Sequence, residues 1–161
     1  MDHQQTTHPI KTVNGVAFIY WLPSMCFILH TIEELPLFAS WVTKHFGPYT
    51  TEHFVITHIP LIWLGIASSY YATIKTNGRI WKILCIAWQW QFGLNAIFHL
   101  TTAVLFKEYS PGMLTAGAIN LPATGYILYF IDKHKLITKK DMLIALIIGT
   151  IVAVSVIATL F

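Results

Sequence analysis

Long apolar stretches, each about the length of a bilayer crossing, alternate along this chain with short breaks of turn-forming or charged residues. Five such stretches stand out: Val16–Val42, Phe54–Ile74, Ile80–Phe106, Met113–Ile131 and Met142–Phe161. The breaks are His45-Phe46-Gly47-Pro48, Thr76-Asn77-Gly78, Ser110-Pro111-Gly112 and a charged link from Asp132 to Asp141. All consist of residue types that end helices and make turns. Twenty residues at about 1.5 Å rise cover about 30 Å, the thickness of the hydrocarbon core. The pattern predicts an all-α fold, a polytopic membrane protein built as a five-transmembrane-helix bundle. No internal repeat of about 20–50 residues is visible, and no linker is long enough to separate domains, so residues 1–161 are expected to form a single membrane domain.

Composition supports that class. Hydrophobic residues make up 55% of the chain and charged residues 11%, against about 25% charged in an ordinary soluble domain. A formal net charge of +3 is too small to argue for a nucleic-acid partner. The distribution of charge says more than its sum. With five crossings, the N-terminus shares a side with the second and fourth loops, and that side holds Lys11, Lys75, Arg79, Lys82, Lys133, Lys135, Lys139 and Lys140. The other side holds Lys44 and Lys107, accompanied by Glu52 and Glu108. By the positive-inside rule the N-terminus is expected in the cytoplasm and the C-terminus outside. The location is a membrane, the plasma membrane if the cell is bacterial. The first dozen residues lack a basic region leading into a short apolar segment and cleavage site, so no cleaved signal peptide is expected. Cys26 and Cys85 both fall in apolar spans, where free cysteine behaves as a small hydrophobe.

The spans carry polar residues that a bilayer tolerates poorly. His30-Thr31-Ile32-Glu33-Glu34 lies inside the first span. An acidic residue at the centre of a membrane helix costs about 2.5–3.5 kcal/mol on insertion scales, which makes the pair a candidate functional site. Glu33 and Glu34 are the i+3 and i+4 neighbours of His30, so both carboxylates are expected beside one imidazole. In the third span Trp88, Gln91, Asn95, His99 and Thr102 follow one helical stripe, which must face the bundle interior because lipid offers no hydrogen bonds. Counting residues inward from each boundary puts His30, Glu33, His58, Asn95 and His99 in one slab in the outer half of the membrane, with Thr115 opening the fourth span near the outer face. Pro36, Pro60 and Pro122 lack donors, and the first two are expected to kink their helices near the acidic turn and near His58. For His58 alone, an interhelical hydrogen bond and a ligand role are both open. His45, Glu52 and His53 fall at the outer boundary, where solvated ionisable groups are ordinary.

Three ordered motifs also carry a resemblance. His30-Thr31-Ile32-Glu33-Glu34 resembles the signature of the HXXEE-domain membrane proteins, and Asn95-Ala96-Ile97-Phe98-His99 and Pro111-Gly112-Met113-Leu114-Thr115-Ala116 are similar to that family's N-x-x-x-H and P-G-x-x-T-A motifs. The resemblance covers about residues 15–131. It implies a multi-pass membrane protein without an assigned reaction, and it marks His30, Glu33, Glu34, Asn95, His99, Pro111, Gly112, Thr115 and Ala116 as the positions that matter.

The chemistry must come from the residues themselves. Imidazole and carboxylate together suit a divalent transition metal such as Zn or Fe, with His30, Glu33, Glu34, His58 and His99 as metal ligands. Glu33, Glu34 and Asn95 are the candidate catalytic groups, with Asn95 orienting a ligand from behind. A site at this depth suits a lipidic or isoprenoid small molecule entering from the bilayer, and hydrolysis and oxidation both fit. Two other classes use the same residues. One is a metal-free acid–base isomerase with one glutamate protonated beside an ionised partner, and the other is a proton or cation transporter. The near absence of ionisable groups in the inner half of the spans favours a pocket open to one side over a continuous path. The fifth span carries no charge between Asp141 and the terminus and is expected to pack or face lipid.

Overall fold

The computed structural model describes residues 10–74 and 78–160, with side chains in the first helix from Ala17 onward. Lys75, Thr76 and Asn77 lie outside these described residues, as do Phe161 and the side chain of Lys11. Every regular element among the described residues is helical: α1 (Ile10–Glu34), α2 (Phe38–His45), α3 (Thr51–Ile74), α4 (Arg79–Phe106), α5 (Met113–Lys133) and α6 (Lys139–Ala158).

The first apolar stretch departs most from expectation. Instead of running unbroken to Val42, α1 ends at Glu34, and α2 leaves it at 70°. Pro36 is the cause. It has no N–H to donate, and its ring disfavours helical backbone at Leu35. The chain closes the break with a tight turn, Leu37 N–H donating to Glu34 O at 3.1 Å. The amphipathic α2 then buries Phe38, Ala39, Trp41 and Val42, packing Phe38, Trp41 and Val42 with Phe54 of α3. Lys44 and His45 at its end both pair with Glu108 in the loop after α4, which holds the Glu108 carboxyl below the usual range.

Pro60 behaves differently, since α3 continues through it from Thr51 to Ile74. Pro122 follows a widened turn in α5. Residues Ala116–Asn120 are π-helical, and Leu121 N–H reaches back five residues to Ala116 O. An inserted residue of this kind is a recognised device inside helices, often near functional sites.

The centre of the bundle is α4, which packs against α1, α3, α5 and α6. Its buried residues, from Ile83 to Thr102, include Gln89, Gln91, Gly93 and His99. This explains how so polar a helix sits among apolar ones: its polar side chains are turned to protein neighbours and away from the outer surface. Gln89 Nε2 donates to Thr124 Oγ1 at 2.8 Å. The crossing there is close enough that a Cβ on Gly93 would stand 2.8 Å from Thr124 Cγ2. Between α1 and α3, Ser24 and Ser69 share a hydrogen bond of 2.7 Å.

The last helix docks on α4 through a row of small residues. Asp141, Ala145, Gly149 and Ala153 are its buried positions, spaced by four, the small-residue stripe that lets membrane helices approach closely. At one end Arg79 Nη2 meets Asp141 Oδ1 at 2.6 Å, and Thr138 caps the helix by accepting from Asp141 N–H. Outward-facing positions are large and apolar, among them Ile56, Trp63, Val104, Leu114 and Ile151. Among the described residues three helices, α3, α5 and α6, are long and apolar enough to cross a membrane, and α1 with α2 makes a fourth if the bent pair counts as one crossing.

The α4–α6 approach gives a test. A Cβ on Gly149 would lie 2.4 Å from the Ala87 carbonyl oxygen, whereas one on Gly125 meets nothing within 4 Å. Gly149→Ala is therefore expected to lower stability by about 1–3 kcal/mol through overpacking. Gly125→Ala is expected to be neutral or to stabilise by up to about 1 kcal/mol. Thermal melts of the two variants in detergent check this, and equal melting temperatures would count against the close crossing.

Candidate metal centre

Four segments converge on Glu34, the last residue of α1. The residue is only 4% exposed, and three imidazoles from three helices surround its carboxylate. His30 Nε2 from α1 lies 3.5 Å from Glu34 Oε1. His99 Nε2 from α4 lies 3.2 Å from the same oxygen, and His58 Nε2 from α3 lies 3.8 Å from Oε2. Ordinary N–H···O bonds measure about 2.7–3.2 Å, so two of these contacts are too long for hydrogen bonds and the third is at the limit.

The other ring nitrogen of each histidine is anchored. His30 Nδ1 lies 2.8 Å from Thr115 Oγ1, and the Thr115 hydroxyl itself donates to Gly112 O. Thr115 must therefore accept from His30, which assigns the proton to Nδ1 and leaves a lone pair on Nε2. His58 Nδ1 lies 2.8 Å from the Phe54 carbonyl, an acceptor only, giving the same assignment. His99 Nδ1 lies 3.1 Å from Ser110 Oγ. All three rings thus turn Nε2 toward one carboxylate while Nδ1 is held by a neutral oxygen, the orientation that outer partners impose on metal-binding histidines.

The atoms closest together belong to His30, Glu34 and His99, whose donor atoms lie within 4.8 Å of one another. Such a group could hold a metal ion. His58 stands just outside it. Asn95 Nδ2 is 3.0 Å from His30 Nε2, so its amide contests the lone pair that a metal would use.

Glu33 faces elsewhere. Its carboxylate accepts from Leu114 N–H at 2.9 Å and Thr115 N–H at 2.7 Å, and from the Tyr109 hydroxyl. The expectation that both glutamates sit beside one imidazole is therefore met in contact only by Glu34. The reason lies at the helix ends. The C-terminal end of α1 carries partial negative charge and the N-terminal end of α5 carries free amides, so a carboxylate between them satisfies the amides. Burial and the hydrogen bond to Glu33 push the Tyr109 phenol up to about 12.

Gly112 completes the contact. Its φ is +95°, a left-handed conformation suited to glycine. An added Cβ would lie 2.6 Å from His30 Cε1, 3.0 Å from Glu34 Cγ and 3.1 Å from His99 Cε1. No side chain fits there without displacing the three residues. Pro111 and Ala116 are buried alongside. Two partners went unread in the sequence: Ser110, fully buried against His99, and Tyr109. Ser110 was visible only as part of a turn, although it adjoins Pro111-Gly112. His45 and His53 stay out of the cluster, His45 stacked on Phe106 at 3.9 Å between ring centres.

A cavity of about 540 Å³ opens beside the cluster, lined by His30, Glu34, His58, Gln91 and Asn95 among mostly apolar residues. Beneath it Phe27, Trp88 and Phe92 pack ring against ring, with centres 4.9–5.8 Å apart.

An all-helical chain with apolar spans and a buried histidine–glutamate cluster is the class of protein these features define. Over residues 21–127 the chain matches the family described as protein of unknown function with HXXEE motif, and it belongs to that family. The matched region holds all three motifs and ends before α6. The uncharacterized protein YrkK of Bacillus subtilis (strain 168) is 30% identical over 149 residues, which cover 89% of this chain and 94% of that protein. No solved structure matches.

The two glutamates are expected to separate in a melt of chelated protein. Glu33→Ala should lose about 1–2 kcal/mol, toward the low side for charge-assisted bonds because Glu33 is half-buried. Glu34→Gln should leave the metal-free melting temperature unchanged or raise it, since a buried charge contributes little stability. An unaltered melt for Glu33→Ala would remove its role at the helix end.

Proposed function

We propose that this protein is a multi-pass membrane protein that binds a divalent transition metal, Zn or Fe, through His30, Glu34 and His99 and uses it in hydrolysis or oxidation of a hydrophobic small molecule. One observation carries the proposal: three anchored imidazoles turn their Nε2 atoms toward a single buried carboxylate at 3.2–3.8 Å, with the Nδ1 partners of His30 and His58 leaving those two Nε2 atoms unprotonated. Metal–ligand bonds of about 2.0–2.1 Å in a tetrahedral site set ligand atoms about 3.3 Å apart. The separations fit a shared ion better than they fit direct hydrogen bonding.

A metal held there supplies a Lewis acid and an activated water. The chain's own groups supply the rest. Thr115 holds the His30 ring in the ligating tautomer, and Ser110 would do the same for His99 by accepting from its Nδ1. His58, beside the triad and lining the cavity, offers a lone pair as a fourth ligand or a general base. Asn95, whose amide would have to leave His30 for a metal to bind there, would then be a donor at the cavity wall. Glu33 positions the α1–α5 junction, so its place in this scheme is to hold Glu34 in register and not to ligate. The aromatic floor of Phe27, Trp88 and Phe92 supports a pocket over a transport path.

The topology we propose has five crossings, with α4 added to the three apolar helices and the α1–α2 pair. Its 28 residues are long enough to cross at about 1.5 Å each, and its polar side chains are buried against neighbours. Arg79, Lys82, Lys135 and Lys139 line one hollow at a single end of the bundle, which supports a cytoplasmic N-terminus and an outer C-terminus.

Elemental analysis of purified protein, together with reconstitution of chelated protein by Zn or Fe(II), tests the site. About one metal per chain is expected in the wild type, with loss of binding in Glu34→Gln and in the His30→Ala/His99→Ala pair, because an amide is a poor ligand and one carboxylate alone holds little. Glu33→Gln should keep the metal. A folded wild type that takes up no metal under either condition overturns the proposal.

A further inference from the structure

Resting on that reading of the metal centre, we infer that the site's substrate class is an uncharged amphiphile, a long apolar chain ending in an alcohol, aldehyde or ester, which enters sideways from the bilayer between α3 and α6. The cavity sits between these two helices and over α4, with Ile56, Pro60 and Leu61 of α3 on one side and Val152, Ser155 and Val156 of α6 on the other. Both helices are apolar enough to cross a membrane. A molecule passing between them therefore comes from lipid and not from water. At about 540 Å³ the space lies within the range that encloses a small ligand.

Charge selects the head. Among the described residues no lysine or arginine lines the cavity, and its one carboxylate is Glu34. Of the basic residues elsewhere, Lys44 pairs with Glu108, Arg79 with Asp141 and Lys139 with Asp132. A phosphate or diphosphate head would find no lysine or arginine to pair with, and its charge of about −1.5 or more would exceed the single net positive charge that a divalent ion would leave beside Glu34, a costly arrangement once desolvated. An uncharged oxygen function instead meets donors and acceptors suited to it, the Asn95 and Gln91 amides and His58 Nε2. These polar groups belong to α3 and α4 next to Glu34, whereas Phe27, Phe38, Leu61, Val152 and Leu160 supply apolar wall for the chain. The polar head thus lands beside the candidate metal and the tail stays among apolar side chains.

Equilibrium binding of radiolabelled hexadecanol to the detergent-solubilised full chain tests this, with hexadecyl phosphate as competitor. Hexadecanol should bind the wild type, and the phosphate should compete at least about tenfold more weakly, a difference of about 1.4 kcal/mol. Val152→Trp and Ser155→Trp, which fill the cleft from α6, should each weaken hexadecanol binding by about tenfold or more while metal content stays at the wild-type level. Ser155 is on the exposed rim, so its variant stays informative if Val152→Trp fails to fold. Glu34→Gln should lose metal and still bind the alcohol. This separates the two ideas: a wild type that takes up no metal yet binds the alcohol defeats the metal centre alone. Phosphate binding as tightly as the alcohol, or alcohol binding indifferent to both cleft variants, defeats the substrate assignment.

Discussion

A carboxylate buried in an apolar bundle has to be compensated, and the end of the bundle that holds Glu34 is arranged around that requirement. Left alone, such a charge in a medium of low dielectric would be prohibitive. The protein sets three imidazoles from α1, α3 and α4 around it, each held from behind by an oxygen of another turn or helix, so that the carboxylate and the ring nitrogens together form a donor set that a cation would neutralise. Thr115 of α5, Ser110 of the preceding loop and the Phe54 carbonyl of α3 do this work. The cluster therefore joins five segments, and the Thr115 and Phe54 oxygens must accept where they sit.

The junction of α1 with α5 gives the three motifs a common physical meaning. His30, Glu33 and Glu34 come from the end of one helix, and Gly112 and Thr115 from the start of another. Glu33 satisfies the opening amides of α5, and Thr115 steers His30. Gly112 lets the backbone pass against His30, Glu34 and His99 at a distance that excludes any side chain. Asn95 and His99 present the third surface from α4. The motifs lie far apart along the chain because they are the three sides of one contact.

Below this cluster the bundle follows rules suited to lipid. Where solvent outside is as apolar as the interior, helices are held by close packing and hydrogen bonds and not by exclusion of water. Small residues mark the closest approaches, Gly93 against Thr124 and Gly149 against Ala87. The polar side chains gather on α4, the helix with most neighbours, while large apolar ones face outward from α3, α5 and α6. The apolar cleft between α3 and α6 is the exception, and it leads to the polar cluster.

Much of this was legible in the sequence because hydropathy and helical spacing are local properties. Apolar length marked the helices, turn chemistry marked their ends, and the Asn95–His99 spacing put two groups on one face of α4. Motif order carried the family. Direction in space was not legible. Adjacent glutamates on one helical turn differ by about 100° around its axis, so whether they share an imidazole or face different helices depends on what packs there. The structure turned Glu34 inward to the histidines and Glu33 to the first amides of α5. Pro36 announced a disturbance, yet the 70° break at Leu35–Leu37 depends on where α2 finds apolar partners in Phe54 and its neighbours. The same holds for Ser110 and Gly112, which read locally as turn residues. Only the meeting of α1, α4 and α5 makes one the anchor of His99 and the other the gap through which the site closes, because contacts between distant segments are set by packing and not by local pattern.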